Sequence, residues 1–515
     1  MRHRLLIAWM VLACAAQADS PGELVTLNVV ALDSHGQPIG DLPADDFQIQ
    51  DQGKRYKIAA FHKNPAKPEG AAPALGPHEF SNRSGVPTSP VTLILFDLLN
   101  DTLHAQGYAK TQLVATLQRL EASEFVYLYL LTANGPYAVH GLPDAAATAA
   151  PWTQGIQTTM DDALNRVSRL PPDMYAEDRV KLTYVTLEAL ASRLAAFPGR
   201  KSIVWVSHGV PLSILPQRTA SSNTTIDYTP VLRQLSATLE RASIAVYPVG
   251  EASAISATPA KSDLGAFAPQ TNAPVARGTG PQPQQQVDVG ASSEGTLLEI
   301  AGLTGGRAHL DNDIGAAIRQ SMDDARVNYT IAYEPGGENW DGKYHKIRVT
   351  CSRRGVRVLS REGYFAYPPQ SGNVDQEKAA VDAAAWSPFD AGEIGMRATV
   401  SPSPKTPQAV HLQIRINTED LHIQRQQDRF TGQISVSYVT YDADGKHAVS
   451  PPTAFPFRMT EAQHNGALKG GVTLSPDRAI PDSVKKLRII VYDRGSNAIG
   501  ALTVPITAAD RSPGP

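Results

Sequence analysis

Ser207 and His208 are the two side-chain types that a nucleophile and its general base require, but they are neighbours in sequence. At a strand end successive side chains point to opposite faces, which places the pair badly for proton transfer. Other signatures of covalent or metal-assisted chemistry are missing from the chain. It has no Gly-x-Ser-x-Gly, no His-Glu-x-x-His, no Gly-x-x-x-x-Gly-Lys, and no Gly-x-Gly-x-x-Gly after a strand. The 13 histidines are scattered rather than spaced as ligand pairs. Asp442-Ala-Asp-Gly445 carries half of a calcium loop without the distal glutamate, and reads as a tight hairpin turn. In the acidic stretch His309-Leu-Asp-Asn-Asp313, Asp313 stands where a helix N-cap belongs. On its motifs the chain is not expected to be an enzyme.

The elements around these residues are legible from periodicity. Val91–Phe96, Phe125–Leu131, Ser202–Ser207 and Ile244–Val249 are apolar runs, the pattern of strands covered on both faces. Between them, Ala109, Leu113, Leu117 and Leu120 recur at helical spacing. So do Val180, Tyr184, Leu187, Leu190, Leu194 and Phe197, and Leu232–Ala242 is also helical. This strand–helix alternation predicts a parallel, doubly wound sheet. Residues 252–293, rich in Ala, Pro, Gln, Thr and Gly, cannot form a core and read as a flexible insertion. Helices at Gly295–Gly302 and Ile314–Arg326 follow, then strands at Tyr329–Tyr333, His345–Cys351 and Val356–Arg361. Before Val91, residues 19–63 read as a small β module with Phe47, Ile49, Ile58 and Phe61 as its core, and 64–90 as a linker. Residues 368–394 read as a second linker, and the short strands and turns of 395–507 as a β-sandwich.

Composition limits the function classes. With 42% hydrophobic and 19% charged residues the chain is globular, and 47 basic against 50 acidic residues leave no electrostatic case for nucleic acid. Met1-Arg-His-Arg4, the apolar Leu5–Ala13 and the small-x-small Ala16-Gln-Ala18 form a signal peptide over residues 1–18. Its apolar run is too short to span a bilayer core of about 30 Å, and no later segment approaches a transmembrane run. Cleavage after Ala18 removes Arg2 and Arg4, leaving 45 basic and 50 acidic residues, a net charge of −5. Lipid attachment at Cys14 is the alternative, although Leu12 makes Val11-Leu-Ala-Cys14 a poor lipobox. Once Cys14 is removed, Cys351 has no partner for an intramolecular disulfide, and it reads as a structural thiol.

Several motifs occur in a consistent order. They are Val25-Thr-Leu-Asn-Val-Val30, Asp33-Ser-His-Gly-Gln-Pro38, Asp46-Phe47, Asp51-Gln-Gly-Lys54, Leu95-Phe-Asp-Leu-Leu-Asn100 and Gly199-Arg-Lys-Ser-Ile-Val-Trp-Val-Ser207. Thr304-Gly-Gly-Arg307, Asp323-Asp-Ala-Arg326, Tyr329-Thr-Ile-Ala-Tyr333 and Arg361-Glu-Gly-Tyr-Phe365 continue the series. From Val25 to Tyr367 the chain resembles the von Willebrand factor A (VWFA)-related proteins exported by acidobacteria and similar bacteria. The resemblance implies a VWFA-related domain over 91–367. The expected fold is thus α/β: a doubly wound, Rossmann-like A-domain with a small N-terminal β module and a C-terminal Ig-like β-sandwich. It also implies an extracytoplasmic protein, periplasmic or secreted, that mediates protein–protein interaction or adhesion. Its protein partner would bind at the C-terminal end of the A-domain sheet. The family brings no catalytic activity with it.

A-domains hold a divalent cation through Asp-x-Ser-x-Ser after the first strand, with a Thr and an Asp from other loops. Here Asp97 matches, Leu99 stands at the first Ser, and Asp101 replaces the second Ser with another oxygen donor. Ser207-His208-Gly209 occupies the place of Thr-Asp-Gly, which puts His208 at the aspartate position; Thr158 or Thr159 would be the threonine. Two possibilities stay open. Asp97, Asp101 and His208 form an altered site for a softer divalent cation such as Mn²⁺ or Zn²⁺. Alternatively no cofactor binds, Asp97 caps the following helix and His208 hydrogen-bonds within its loop. The functional alternatives to binding are a metal-dependent extracytoplasmic hydrolase using Asp97 and Asp101, and a purely structural envelope component.

Overall fold

The four apolar runs lie side by side. Val91–Asp97 pairs in parallel with Phe125–Thr132 on one side and Lys201–Val206 on the other, and Ile244–Val249 continues the sheet beyond Lys201–Val206. Gly135–His140 turns back as an antiparallel edge strand. Alternate strand residues feed two cores. Leu93, Leu95, Ile203 and Trp205 pack under helices Ala176–Leu194, Thr229–Arg241 and Val289–Thr304. Ile94, Phe96, Val204 and Val206 pack under Leu103–Leu117, Ile156–Arg166 and Ile314–Arg326. Helix cover on both faces explains why every residue of Val91–Asp97 is buried. The Thr304-Gly-Gly306 turn runs beside the edge strand Ile244–Val249 so closely that a Cβ on Gly306 would collide with the Val246 carbonyl oxygen.

This is a computed structural model, and it describes residues 24–64, 75–76, 78–83, 90–100, 103–120, 125–143, 156–166, 174–210, 213–214, 226–250, 289–336, 340–341, 343–366, 374–406 and 409–511. The expected signal segment 1–18 with Cys14, Asp101, and most of the expected insertion lie outside the described residues. The end of that insertion is helical, because Val289–Thr304 begins ahead of the expected Gly295.

Outside this one sheet the larger sheets are antiparallel. Val25–Leu32, Asn328–Tyr333, Ala60–Asn64 and Arg357–Leu359 form one four-stranded sheet; Phe47–Asp51, Tyr344–Cys351, Lys54–Tyr56 and Gly363–Phe365 form another. They enclose a core that includes Leu27, Phe47, Ile49, Tyr329, Ile331 and Val349. The C-terminal region encloses a further core between the sheet containing Met396–Pro402 and Ala409–Ile416 and the sheet containing Arg429–Asp442 and Val484–Asp493.

The doubly wound, Rossmann-like α/β class is therefore a wrong description of this chain. Among the described residues 26 strands stand against eight α-helices, and seventeen of twenty strand pairings are antiparallel. The chain is mostly β. Fully buried parallel strands and long amphipathic helices have strong local periodicity, whereas short half-exposed strands that pair across hundreds of residues do not. The same effect hid the true boundaries. The N-terminal strands do not form a module of their own: Val25 pairs opposite Tyr333, and Phe47 opposite Cys351. The expected linkers also contain structure. Glu79–Ser81 joins the sheet of Met396–Pro402, and helix Val374–Trp386 buries Val381, Ala384 and Ala385 against Ile490 and Ala501.

Candidate functional site

The central strand ends at Asp97, at the crest of the parallel sheet. Its carboxylate is fully buried and accepts five hydrogen bonds. Oδ1 takes the backbone N–H groups of Leu99 and Asn100, each at 2.9 Å. Oδ2 takes Asn100 Nδ2 at 2.9 Å, Ser207 Oγ at 2.7 Å and Trp205 Nε1 at 3.3 Å. The apolar run that buries the strand also buries this charge. Burial pushes the carboxyl above the ordinary carboxylate range, and hydrogen bonds from Asn100, Ser207 and the backbone act against that rise.

The donors are themselves fixed. Asn100 gives its second amide hydrogen to Thr183 Oγ1 at 2.8 Å, on helix Ala176–Leu194. Ser207 Oγ accepts the Gly209 N–H at 2.9 Å, and Arg179 reaches the Leu99 carbonyl at 3.4 Å. The Asp97 network thus ties the first loop, the loop after Lys201–Val206 and one covering helix into one unit. His208 is half-buried beside it. Thr158 and Thr159 are exposed on helix Ile156–Arg166, and it is Thr183 that joins the network. Leu99, at the position of a ligating serine in A-domains, points into the core.

The Asp97 carboxylate is already saturated by its own chain, and Asp101, the other expected oxygen ligand, lies outside the described residues. A carboxylate has about four lone-pair sites, and five protein donors converge on those of Asp97. Among the described residues no three His, Cys, Asp or Glu side chains gather as metal ligands would. Calorimetric titration of the full chain with Mg²⁺, Mn²⁺ and Zn²⁺ is expected to give no saturable heat dependent on Asp97. A stoichiometric heat lost in Asp97→Asn would revive the altered-site alternative.

Three further buried polar groups lie within motifs of the series, but nothing in those motifs marked them as sites. Lys201 begins its strand almost fully buried, donating to the Phe197 carbonyl at 2.8 Å. Burial, with repulsion from Arg83, pulls its ammonium down to about 7. Asp51 accepts hydroxyls from Tyr333 at 2.8 Å and Tyr364 at 3.1 Å, and faces His345 Nδ1 at 3.1 Å, joining the two N-terminal sheets. Asp324 accepts the Tyr247 hydroxyl at 2.9 Å and pairs with Arg307 at 2.7 Å. The one available signal was a polar residue inside or bordering an apolar run, as at Lys201 and Asp97, and it says nothing of the partner.

No family model and no curated protein matches the chain. Among solved structures, the pilus adhesin SpaC of Lactobacillus rhamnosus GG in its open conformation aligns with 91% of this chain and 57% of its own, at 10% identity and a TM-score of 0.26. A second form of that adhesin aligns over 91% and 58%, at 9% identity and a TM-score of 0.26. The human COPII-coat protein Sec24c aligns over 54% of this chain and 43% of its own, at 10% identity and a TM-score of 0.21. This chain spans less than three-fifths of the adhesin's length, and likenesses this weak transfer neither fold nor function.

Proposed function

We propose that the chain is an exported binding protein that engages another protein at the crest of its parallel sheet, where Val91–Asp97 and Lys201–Val206 end. The observation that carries this reading is the condition of Asp97. Its lone pairs are held by donors of its own chain, so the crest offers shape and hydrogen-bonding groups in place of a reactive carboxylate. Exposed Asn134 follows the neighbouring strand Phe125–Thr132, exposed Asp311 and Asp313 follow the bridge of His309 to Val249, and half-buried Asn100 and His208 adjoin the network itself. The network fixes the Asn100 loop and the turn at Ser207–Gly209, which lowers the entropy lost when a partner docks there. The export signal at residues 1–18 and the motifs shared with exported VWFA-related proteins support an extracytoplasmic setting. No helix among the described residues is long and apolar enough to cross a membrane.

Two measurements check this. N-terminal sequencing of the chain exported with its own leader is expected to begin at Asp19; an uncleaved Met1 would remove the export argument. A photoreactive side chain at position 134 or 208 is expected to cross-link one and the same protein in the producing cell. Position 444, in a turn of the C-terminal region, is expected to give no such adduct. An equal adduct from 444, or none from the crest, would overturn the crest as the binding surface.

A further inference from the structure

The outward face of the sheet built from Phe47–Asp51, Lys54–Tyr56 and Tyr344–Cys351 is basic and free of acidic side chains. Inward residues of these strands, Ile49, Ile347 and Val349, enter the core; of the alternate positions, Gln48, Arg55, Lys346, Arg348 and Thr350 are exposed, whereas Tyr344 packs against the parallel-sheet core. Register places Arg348, Gln50 and Arg55 in one cross-strand row and Thr350 beside Gln48 in the next. Lys346 precedes Arg348 by two residues on the same face, and Lys57 follows Arg55 by two. Lys346, Arg348, Arg55 and Lys57 are all exposed, and none forms an ion pair with a described residue. In a chain with more acidic than basic residues, composition does not account for such a face.

The face runs into a groove of about 630 Å³. Lys54–Tyr56 pairs only with Ile49–Asp51, so the chain at 57–61 passes Phe47 and Gln48 without hydrogen-bonding to them and leaves a gap. Gln48, Arg55 and Lys57 belong to both face and groove, and Asp45 is the acidic residue on the groove wall. The nearby Asp46 is engaged by Arg353.

We propose that this face and groove form a docking surface for an acidic polysaccharide, a carboxylate-bearing glycan outside the cell. The proposal goes beyond the protein-binding crest and does not depend on it. Charge complementarity selects a polyanion. Cations lie about 7 Å apart along a strand and about 10 Å apart across two, on a rigid flat support. Gln48, Gln50 and Thr350 stand between them, with donors and acceptors suited to sugar hydroxyls. The exposed outward positions of the sheet carry no aromatic ring to stack a nucleic-acid base and no apolar side chain to enter a lipid layer; the half-buried Tyr56, Ile58 and Phe61 line the groove.

The test uses the full chain and immobilised polygalacturonate at low ionic strength, with dextran as the uncharged control. Saturable binding to polygalacturonate, none to dextran, and at least a tenfold weaker Kd in Arg55→Glu/Arg348→Glu are expected. The Arg55→Gln/Arg348→Gln pair, which removes charge without reversing it, is expected to fall between, with an unchanged urea midpoint for both. Failure of the wild type to bind polygalacturonate, or equal binding by both variants, overturns the proposal. So does duplex DNA, or an anionic vesicle, held as tightly through the same arginines, because the partner would then be a different polyanion.

Discussion

Asp97→Ala is expected to destabilise the protein by about 4 kcal/mol, because it strands several buried donors at once. The substitution leaves Trp205 Nε1, Ser207 Oγ and the Leu99 and Asn100 N–H groups facing a void in a fully buried site. Part of that loss is offset, since the carboxylate's own desolvation disappears with it. Asp97→Asn separates the two contributions. The amide oxygen can serve one side; on the other, Ser207 can rotate its hydroxyl, but neither the Asn100 amide, held by Thr183, nor the indole N–H can adapt. About half the loss is expected. Urea unfolding with an unchanged slope checks both variants. A midpoint for Asp97→Ala within error of wild type would mean that the network does not hold the crest. The photo-cross-link from position 208 is expected to weaken in the same variant, because the loop after Lys201–Val206 loses its anchor.

Lys201→Met is expected to change how stability depends on pH. In the folded chain the ammonium titrates at about 7, against an ordinary value of 10.5. Between those values the unfolded chain carries a proton that the folded chain lacks, so unfolding takes one up. Wild-type stability therefore rises with pH through this window, by about 1.4 kcal/mol per unit at most. Below about 7 both states are protonated, and the burial penalty is present in full and constant. Methionine has similar length and no charge, and forfeits only the bond to the Phe197 carbonyl. The variant is expected to be more stable by a few kcal/mol at pH 7, with the difference closing by about 3 kcal/mol between pH 7.5 and 9.5. Urea titrations at four pH values across that range measure it. Parallel wild-type and variant profiles would mean that Lys201 is solvated in the folded protein.

Local features were readable because their causes are local. Asp313 caps its helix, accepting the Ala316 N–H at 2.8 Å. Asp442 closes its turn by accepting the Asp444 and Lys446 N–H groups, each at 2.9 Å, with Gly445 at a φ of +79°. The helix Ala176–Leu194 buries the face that its periodicity marks. In each case residues within a few positions of one another set the outcome, so side-chain type and spacing carry the information.

What the amino-acid sequence determined by itself was therefore which segments are buried strands, amphipathic helices and turns, and that Asp97 closes the first parallel strand. The tertiary structure alone decided that the chain is mostly antiparallel, because Val25 meeting Tyr333 or Glu79 meeting Thr399 has no signature in either segment. Strand pairing is fixed by main-chain hydrogen bonds, which every residue but proline offers alike, so sequence marks a strand without naming its neighbour. The same limit applied at the crest. The Asp97 carboxylate is equally apt as a metal ligand or as a hydrogen-bond hub, and what sets its use is the convergence of Asn100, Trp205 and Ser207 from two loops and a neighbouring strand.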